Sequence, residues 1–337
     1  MAHDEFAFIR QWTSRSAGQE GNGLSVGIGD DAAVFAVSAG MEVVACCDAM
    51  IETVHFLRQT MTPEDIGYKG MISNISDIAA MGGLPRYALV TIGLSPAWTP
   101  EEAMRLYTGI YQAAEEHQVR VIGGDTVSTP DALHVTITLL GEVERGKALR
   151  RSFAKPGDLI FVTGPLGASA AGLHLLLADD AAAVETRWQP LLAAHRRPRA
   201  RVEAGRLLLH GCTRAGALND ISDGLASELW EIAEASGVSL RIEAAQIPVA
   251  AEAAAYALEA GKEPLDWALY GGEDYELVGT VGAADAERIT RLFRKQGLTV
   301  IWIGQAVAGE PGVWLQQEDQ SIVPLPKAGY NHFRQEP

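Results

Sequence analysis

Acidic residues recur in this chain wherever a turn, a strand end or a helix face can present them: Asp30, Asp31, Asp48, Asp77, Asp125, Asp220, Asp223, Glu273 and Asp274. Each alone says little, because an isolated aspartate is most often a turn former or a helix cap, and Asp223 ahead of Gly224-Leu225 can simply begin a helix. Their shared setting carries more. Carboxylates that converge repel one another until divalent cations bind, and this is the electrostatic arrangement of metal-assisted phosphoryl transfer.

The run Gly27-Ile28-Gly29-Asp30-Asp31-Ala32 formally matches the glycine pattern of a dinucleotide-binding turn, with Asp48 at a suitable distance. That reading fails on charge: a pyrophosphate approaching the bare backbone would meet Asp30 and Asp31 without neutralisation. Two readings stay open, a metal-binding turn with adjacent carboxylates facing a hard cation and a solvated turn rich in Gly and Asp. A P-loop is absent, since Gly261-Lys262 is followed by Glu263 and Gly146-Lys147 by Ala148. The chain has neither the His-Arg-Asp nor the Asp-Phe-Gly run of protein kinases, nor the Gly-x-Ser-x-Gly elbow of serine hydrolases, nor a close histidine pair for zinc. His55 and His195 stand apart from those classes, and a lone histidine is more often a structural donor than a catalyst.

The elements that position these residues alternate between strand and helix. Glu42 to Cys47 reads as a short buried strand delivering Asp48 at its end. Thr62-Pro63-Glu64-Asp65 starts a helix that runs to about Met81. Helical spacing puts Tyr68, Met71, Ile72, Ile75, Ile78 and Ala79 on its packing side, and Lys69, Ser73, Asn74 and Asp77 on a side available to a site. Arg86 to Leu94 reads as a strand, Thr99-Pro100-Glu101-Glu102 as the cap of a helix reaching about His117, and Val119 to Ile122 as a strand ending at Gly123-Gly124-Asp125. Leu133 to Val143 alternates like a half-exposed antiparallel strand, and turn-rich Lys155-Pro156-Gly157-Asp158 follows a domain boundary expected near residue 150. Beyond it come strands at Leu159 to Thr163 and Tyr275 to Thr280, a helix from Leu166 to Leu177, and a helix starting near Asp223, with the alanine-rich 178–184 as a helix end or loop.

The length of 337 residues suits two domains, and the 47% apolar, 21% charged composition is globular. A net charge of −16 repels nucleic acid and anionic membranes, yet carboxylates can still hold phosphates through Mg²⁺. No apolar run approaches the roughly eighteen residues of a membrane span. The N-terminal Met1-Ala2-His3-Asp4-Glu5 carries acids where an export signal carries Lys or Arg, so a cytoplasmic location is expected, with the three cysteines as reduced thiols.

Taken in order, eight runs resemble the thiamine-monophosphate kinase family, within the superfamily of aminoimidazole ribonucleotide synthetase and selenophosphate synthetase. They are Gly27 to Val34, Val54-His55-Phe56, Asn74 to Gly82, Ile122 to Thr126, Arg151-Ser152 with Ala154 to Asp158, Asp220 to Leu225, Gly271 to Leu277, and Gly329-Tyr330-Asn331-His332-Phe333. The resemblance implies a mixed α/β fold: an N-terminal mixed-sheet domain, residues 1–150, that binds ATP and Mg²⁺ and forms a homodimer, and a C-terminal α/β domain, 151–337, completing the active site. By the same resemblance Asp30, Asp48, Asp77, Asp125, Asp220 and Asp223 hold several Mg²⁺ ions, with the ion count and any monovalent-ion requirement open. Tyr107, Gly124, Asp125, Arg151 and Ser222 contact ATP, and His55, Glu273 and Tyr330 face thiamine monophosphate. Cys46-Cys47-Asp48 stands where relatives carry Ser or Thr before the aspartate; a thiol is a poor partner for a hard ion, so Cys47 joins the metal set through its backbone carbonyl. Two small buried residues at a strand end would look the same.

The implied reaction is in-line attack by a thiamine monophosphate oxygen on the γ-phosphorus of ATP, without a covalent intermediate. Met1 to Gly40 lacks the reactive Cys and Lys of selenophosphate synthetase, and the C-terminal Arg334-Gln335-Glu336-Pro337 lacks the cysteine of the carbamoyl-dehydrating relative. Another ATP-dependent member of the superfamily, or a noncatalytic nucleotide or metal sensor on the same scaffold, remains as the alternative.

Overall fold

The computed structural model describes residues 5–16, 21, 23–29, 31–178 and 186–330. The chain divides into two compact units, Met1–Ile78 with Gly83–Gly146, and Ala79–Gly82 with Lys147–Pro337. No described helix is long and apolar enough to cross a membrane.

The first unit holds helices α1 (Glu5–Trp12), α2 (Pro63–Ala80) and α3 (Pro100–Glu116) and strands β1 (Leu24–Val26), β2 (Val34–Phe35), β3 (Met41–Ile51), β4 (Leu84–Leu94), β5 (Arg120–Ser128) and β6 (His134–Glu144). The last four strands form one mixed sheet in the order β3-β6-β4-β5, with β4 and β5 parallel and the other pairs antiparallel. Both long helices start as their sequences dictate. The Thr99 hydroxyl accepts the Glu102 N–H at 3.2 Å while the Glu102 carboxylate accepts the Thr99 N–H at 2.9 Å, and Thr62 and Asp65 make the same reciprocal pair at 3.2 and 3.3 Å.

Helix α2 is covered on more than its apolar side. A Cβ on Gly67 would stand 2.0 Å from the Leu106 carbonyl oxygen, and one on Gly109 would stand 1.8 Å from that of Glu64, so α2 and α3 touch backbone to backbone. Its other side meets β3, which leaves Lys69 and Asn74 fully buried rather than solvated. The helical wheel separates these residues correctly but cannot tell water from a second packing partner.

The second unit is built on a seven-stranded sheet in the order β13-β12-β9-β11-β7-β10-β8. Its strands are β7 (Asp158–Val162), β8 (Leu218–Asp220), β9 (Ser239–Glu243), β10 (Leu277–Gly282), β11 (Ile301–Val307), β12 (Gly312–Gln316) and β13 (Ile322–Pro324). Only β9 and β12 pair in parallel. Its helices are α4 (Ala168–Leu177), α5 (Gln189–Arg196), α6 (Val202–Gly211), α7 (Leu225–Ser236), α8 (Ala251–Ala260), α9 (Pro264–Tyr270) and α10 (Ala286–Lys295). Alternation along β7 sends Ile160 and Val162 into one core with Leu225, Leu229 and Ile303, and Phe161 into another with Leu208, Ile289 and Phe293. With both faces covered, these strands read as continuous apolar runs. Of the alanine-rich 178–184, all but Ala178 lies outside the described residues.

Candidate active site

In the first unit the site is built where β3 lies against α2. Asp48 falls inside β3 rather than at its end, because the strand runs to Ile51 in unbroken register with β6. Period-two alternation puts Cys46 and Asp48 on the face toward α2. There the Asp48 N–H donates to the Asn74 side-chain oxygen at 3.1 Å, and the Cys46 thiol donates to the Asn74 main-chain oxygen at 3.3 Å. Asn74 is itself fixed by donating to the Gly70 carbonyl at 3.0 Å. The Asp48 carboxylate lies beside the Ser73 hydroxyl, and both Asp77 and Asp48 border the Cys46 thiol. Burial pushes the Cys46 thiol well above its ordinary range, with Asp77 and then Asp48 adding to the shift, so it stays a neutral donor. Burial likewise raises the Asp48 carboxyl, against the Ser73 hydrogen bond. Two carboxyl groups thus border one buried thiol, and a cation bound there would favour their ionised forms.

The remaining expectations for this unit separate. Cys47 points to the opposite, open face, where it accepts from Thr138 Oγ1 at 3.3 Å, so its thiol cannot join Asp48 on one ion. Asp125 is exposed on β5, opposite Thr91, with one oxygen accepting its neighbour Thr126's N–H at 2.9 Å. Gly124 has φ +155°, and a Cβ there would stand 1.8 Å from the Val90 oxygen, so the chain can turn toward Asp125 only with glycine. His55 accepts the Ile51 N–H on Nδ1 at 3.0 Å, which ties it to the end of β3 and sets the proton on Nε2. Tyr107, expected to touch nucleotide, lies on α3. It is 4% exposed, between Trp12 and Tyr111 at ring separations of 6.1 and 6.2 Å, and burial raises its phenol. Asp30 lies outside the described residues.

The second unit gathers most of its predicted residues. Edge strand β8 delivers Asp220, 3% exposed and paired with Leu277, and the chain then turns through Ser222 and Asp223 into α7. A second loop, Gly271 to Glu276, is laced to this turn by three backbone bonds. Ile221 N–H donates to the Glu276 oxygen at 2.7 Å, Glu273 N–H to that of Ser222 at 2.7 Å, and Tyr275 N–H to that of Ile221 at 2.9 Å. The Tyr330 N–H donates to the Asp223 oxygen at 3.1 Å. Asp220, Ser222, Asp223, Glu273 and Tyr330 therefore share one neighbourhood. Arg151 joins through Asn219, whose side-chain oxygen accepts the guanidinium at 2.9 Å.

Glu273 and Tyr275 have φ of +64° and +51°, a left-handed backbone that non-glycine residues rarely hold without outside support. That support is visible. Between them Asp274 accepts the Gly167 N–H at 2.7 Å and the Ser169 N–H at 3.4 Å, capping α4, while the buried Glu276 is gripped by Arg201 and by Thr163 at 2.6 Å. Burial pushes the Asp274 carboxyl up to about 7, despite these two bonds. His195, 1% exposed, sits 3.2 Å from the Ser169 hydroxyl and 3.4 Å from a Glu273 oxygen, and so borders the loop.

Sequence reasoning passed over Glu228. It is 2% exposed on α7, accepts the Asp223 N–H at 3.1 Å and bonds the Asn219 amide. Burial, then Glu231, Asp220 and Asp223, raise its carboxyl well above the usual range. A signal was present: Glu228 interrupts the buried stripe Leu225, Ala226, Leu229, Ile232 and Ala233 at a helical spacing where an unpaired acid would be costly.

Residues 29–143 match the family described as AIR synthase related protein, N-terminal domain, and residues 155–315 match AIR synthase related protein, C-terminal domain. The thiamine-monophosphate kinase of Bacillus subtilis (strain 168) is 43% identical over 334 residues, covering 98% of this chain and 100% of that protein. Among solved structures, the thiamine-monophosphate kinase from Stenotrophomonas maltophilia K279a superposes with a TM-score of 0.81 at 31% identity, covering 93% of this chain and 96% of that one. AaThiL complexed with AMPPCP and TMP superposes with a TM-score of 0.77 at 32% identity, covering 88% and 89%. Matches to both family regions, together with similarity along the whole length of a curated relative, establish that this chain has the two-domain AIR synthase-like fold and belongs to the thiamine-monophosphate kinase family.

Proposed function

We propose that this chain catalyses direct, in-line transfer of the γ-phosphoryl group of ATP to the phosphate of thiamine monophosphate, giving thiamine diphosphate and ADP. The observation that carries the reading is the pair of laced loops that holds Asp220, Ser222, Asp223, Glu273 and Tyr330 together, with Arg151 tied to the same strand. An ATP analogue and thiamine monophosphate occupy the related AaThiL together.

The donors fit magnesium in kind. Asp48, Asp77, Asp220 and Asp223 offer carboxylate oxygens, the hard ligands Mg²⁺ prefers. Mg²⁺ is commonly held by one or two carboxylates and completed by phosphate oxygens. When bound, Mg²⁺ supplies neutralisation of the phosphate charge. The attacking oxygen is already anionic, so no side chain is needed as general base, and the protein's work is positioning. Arg151 is steadied by Asn219 and by Glu231 at 3.2 Å, and its remaining donors serve a phosphate. The Glu273 carboxylate suits the cationic part of thiamine, and the Tyr330 ring, 48% exposed, offers a face to lie against.

In this reading residues 1–150 contribute Asp48 and Asp77 on the α2 side of the sheet, Asp125 on its open side, and the dimer face, and residues 151–337 contribute the laced loops. The open face of the first sheet presents Val43, Leu89 and Val127, 49%, 37% and 46% exposed, and this apolar surface supports a homodimer.

The test is product formation. Purified protein with ATP, Mg²⁺ and thiamine monophosphate should yield thiamine diphosphate, whereas free thiamine as acceptor, or EDTA, should yield none. Absence of thiamine diphosphate from protein that binds ATP would overturn the acceptor.

A further inference from the structure

Around Arg151 the second unit holds a closed polar ring. The Arg151 Nε donates to Asn219 Oδ1 at 2.9 Å, Asn219 Nδ2 donates to Glu231 at 3.0 Å, and Glu231 returns to Arg151 at 3.2 Å. Glu228 stands behind this ring on α7. One of its oxygens accepts from Asn219 Nδ2 and the other accepts the Asp223 N–H at 3.1 Å.

An asparagine amide has one accepting end and one donating end, and its orientation follows from its neighbours. Here a guanidinium meets one end and two carboxyl groups meet the other, so only one orientation joins donors to acceptors. The exposed partners can move: the Glu231 and Arg151 side chains are 36% and 51% exposed. Glu228, 2% exposed, cannot.

We propose that Glu228 is a positioning residue for nucleotide: it fixes the amide of Asn219, and through it the aim of Arg151, while holding the backbone of Asp223 with its second oxygen. The proposal rests on the reading that Arg151 and Asp223 serve the ATP phosphates. A residue needed only to fill space would be replaced without loss by glutamine, which has the same shape. A residue needed to accept at both ends would not, because glutamine accepts at one end and donates at the other. If the substituted glutamine keeps the Asp223 bond, its amide nitrogen faces Asn219 Nδ2. Relief by flipping Asn219 then turns that residue's own nitrogen onto Arg151.

The experiment is calorimetric binding of Mg²⁺–AMPPCP to the whole chain, with the thermal midpoint and the KM for thiamine monophosphate measured alongside. Glu228→Gln should weaken the nucleotide by about tenfold, the size expected for losing a hydrogen bond to a charged group, with its thermal midpoint not lowered and that KM unchanged. Wild-type affinity in Glu228→Gln overturns the proposal and leaves the kinase reading standing, as does a KM for thiamine monophosphate raised by the same factor as the nucleotide affinity is weakened. A wild-type chain that binds no Mg²⁺–AMPPCP overturns both.

Discussion

The main-chain N–H of Asp48 is held at 3.1 Å by the side-chain oxygen of Asn74, so a helix residue sets the position of a strand carboxylate. Asn74 is fully buried, and its loss removes this bond together with the one it donates to the Gly70 carbonyl. Asn74→Ala should therefore cost roughly 1–3 kcal/mol in urea denaturation. It should also raise the Mg²⁺ concentration giving half-maximal rate, and an unchanged Mg²⁺ requirement would detach Asn74 from the site.

Removing charge from either acid pair should stop turnover without unfolding the chain. Asp77→Asn and Asp220→Asn should each lower kcat by roughly a hundredfold or more, since metal charge stabilisation is worth several kcal/mol. Circular dichroism and denaturation midpoints should stay near wild type. Near-normal rates in both variants would sink the multi-ion reading.

Cys46 and Cys47 are neighbours on opposite faces of one strand, which predicts opposite responses to the same substitution. Cys46→Ser puts a hard oxygen beside Asp48 and Asp77 and should lower the Mg²⁺ requirement. Cys47→Ser, on the open face, should leave it unchanged. Equal effects would contradict the facing assigned to β3.

The open face itself is tested by charge. Val43→Glu should shift the sedimentation of the chain from dimer to monomer, because a carboxylate buried in an apolar contact lacks a partner. A wild-type chain that sediments as a monomer removes the dimer.

Asp274 predicts a pH dependence of stability. Its carboxyl is raised from 3.8 to about 7, so between those values the folded chain keeps a proton that the unfolded chain has released. Its contribution to stability is thus largest below the lower value and declines as pH rises through the window, levelling off above about 7. Denaturation midpoints of wild type against Asp274→Asn should show the wild type losing ground between about pH 4.5 and pH 8. A constant difference would mean that Asp274 is not raised.

Much of this organisation was legible because it is local. Thr99-Pro100-Glu101-Glu102 and Thr62-Pro63-Glu64-Asp65 carry their own capping chemistry, and α3 and α2 begin where those residues require. The runs around Asp220, Glu273 and Tyr330 lie far apart in the sequence, yet three backbone bonds and the Tyr330 contact draw them together. What escaped depends on the third dimension. Lys69 and Asn74 became buried because β3 covers the polar side of α2. Asp48 moved to the strand interior because β6 supplies pairing partners as far as Ile51. Glu228 was hidden by its own helix, since an acid near an N-terminus usually reads as dipole chemistry.

A strand with both faces in use is intolerant of odd-numbered changes in length. One residue inserted before Cys47 in Met41–Ile51 would turn the Asp48 carboxylate onto the apolar surface and move the thiol of Cys47 toward Asn74, damaging the proposed ion pocket and the proposed copy-to-copy contact together. Two residues would restore the facing. Lengths of this strand that differ by an even number are therefore the ones compatible with an active chain, whatever the side chains between.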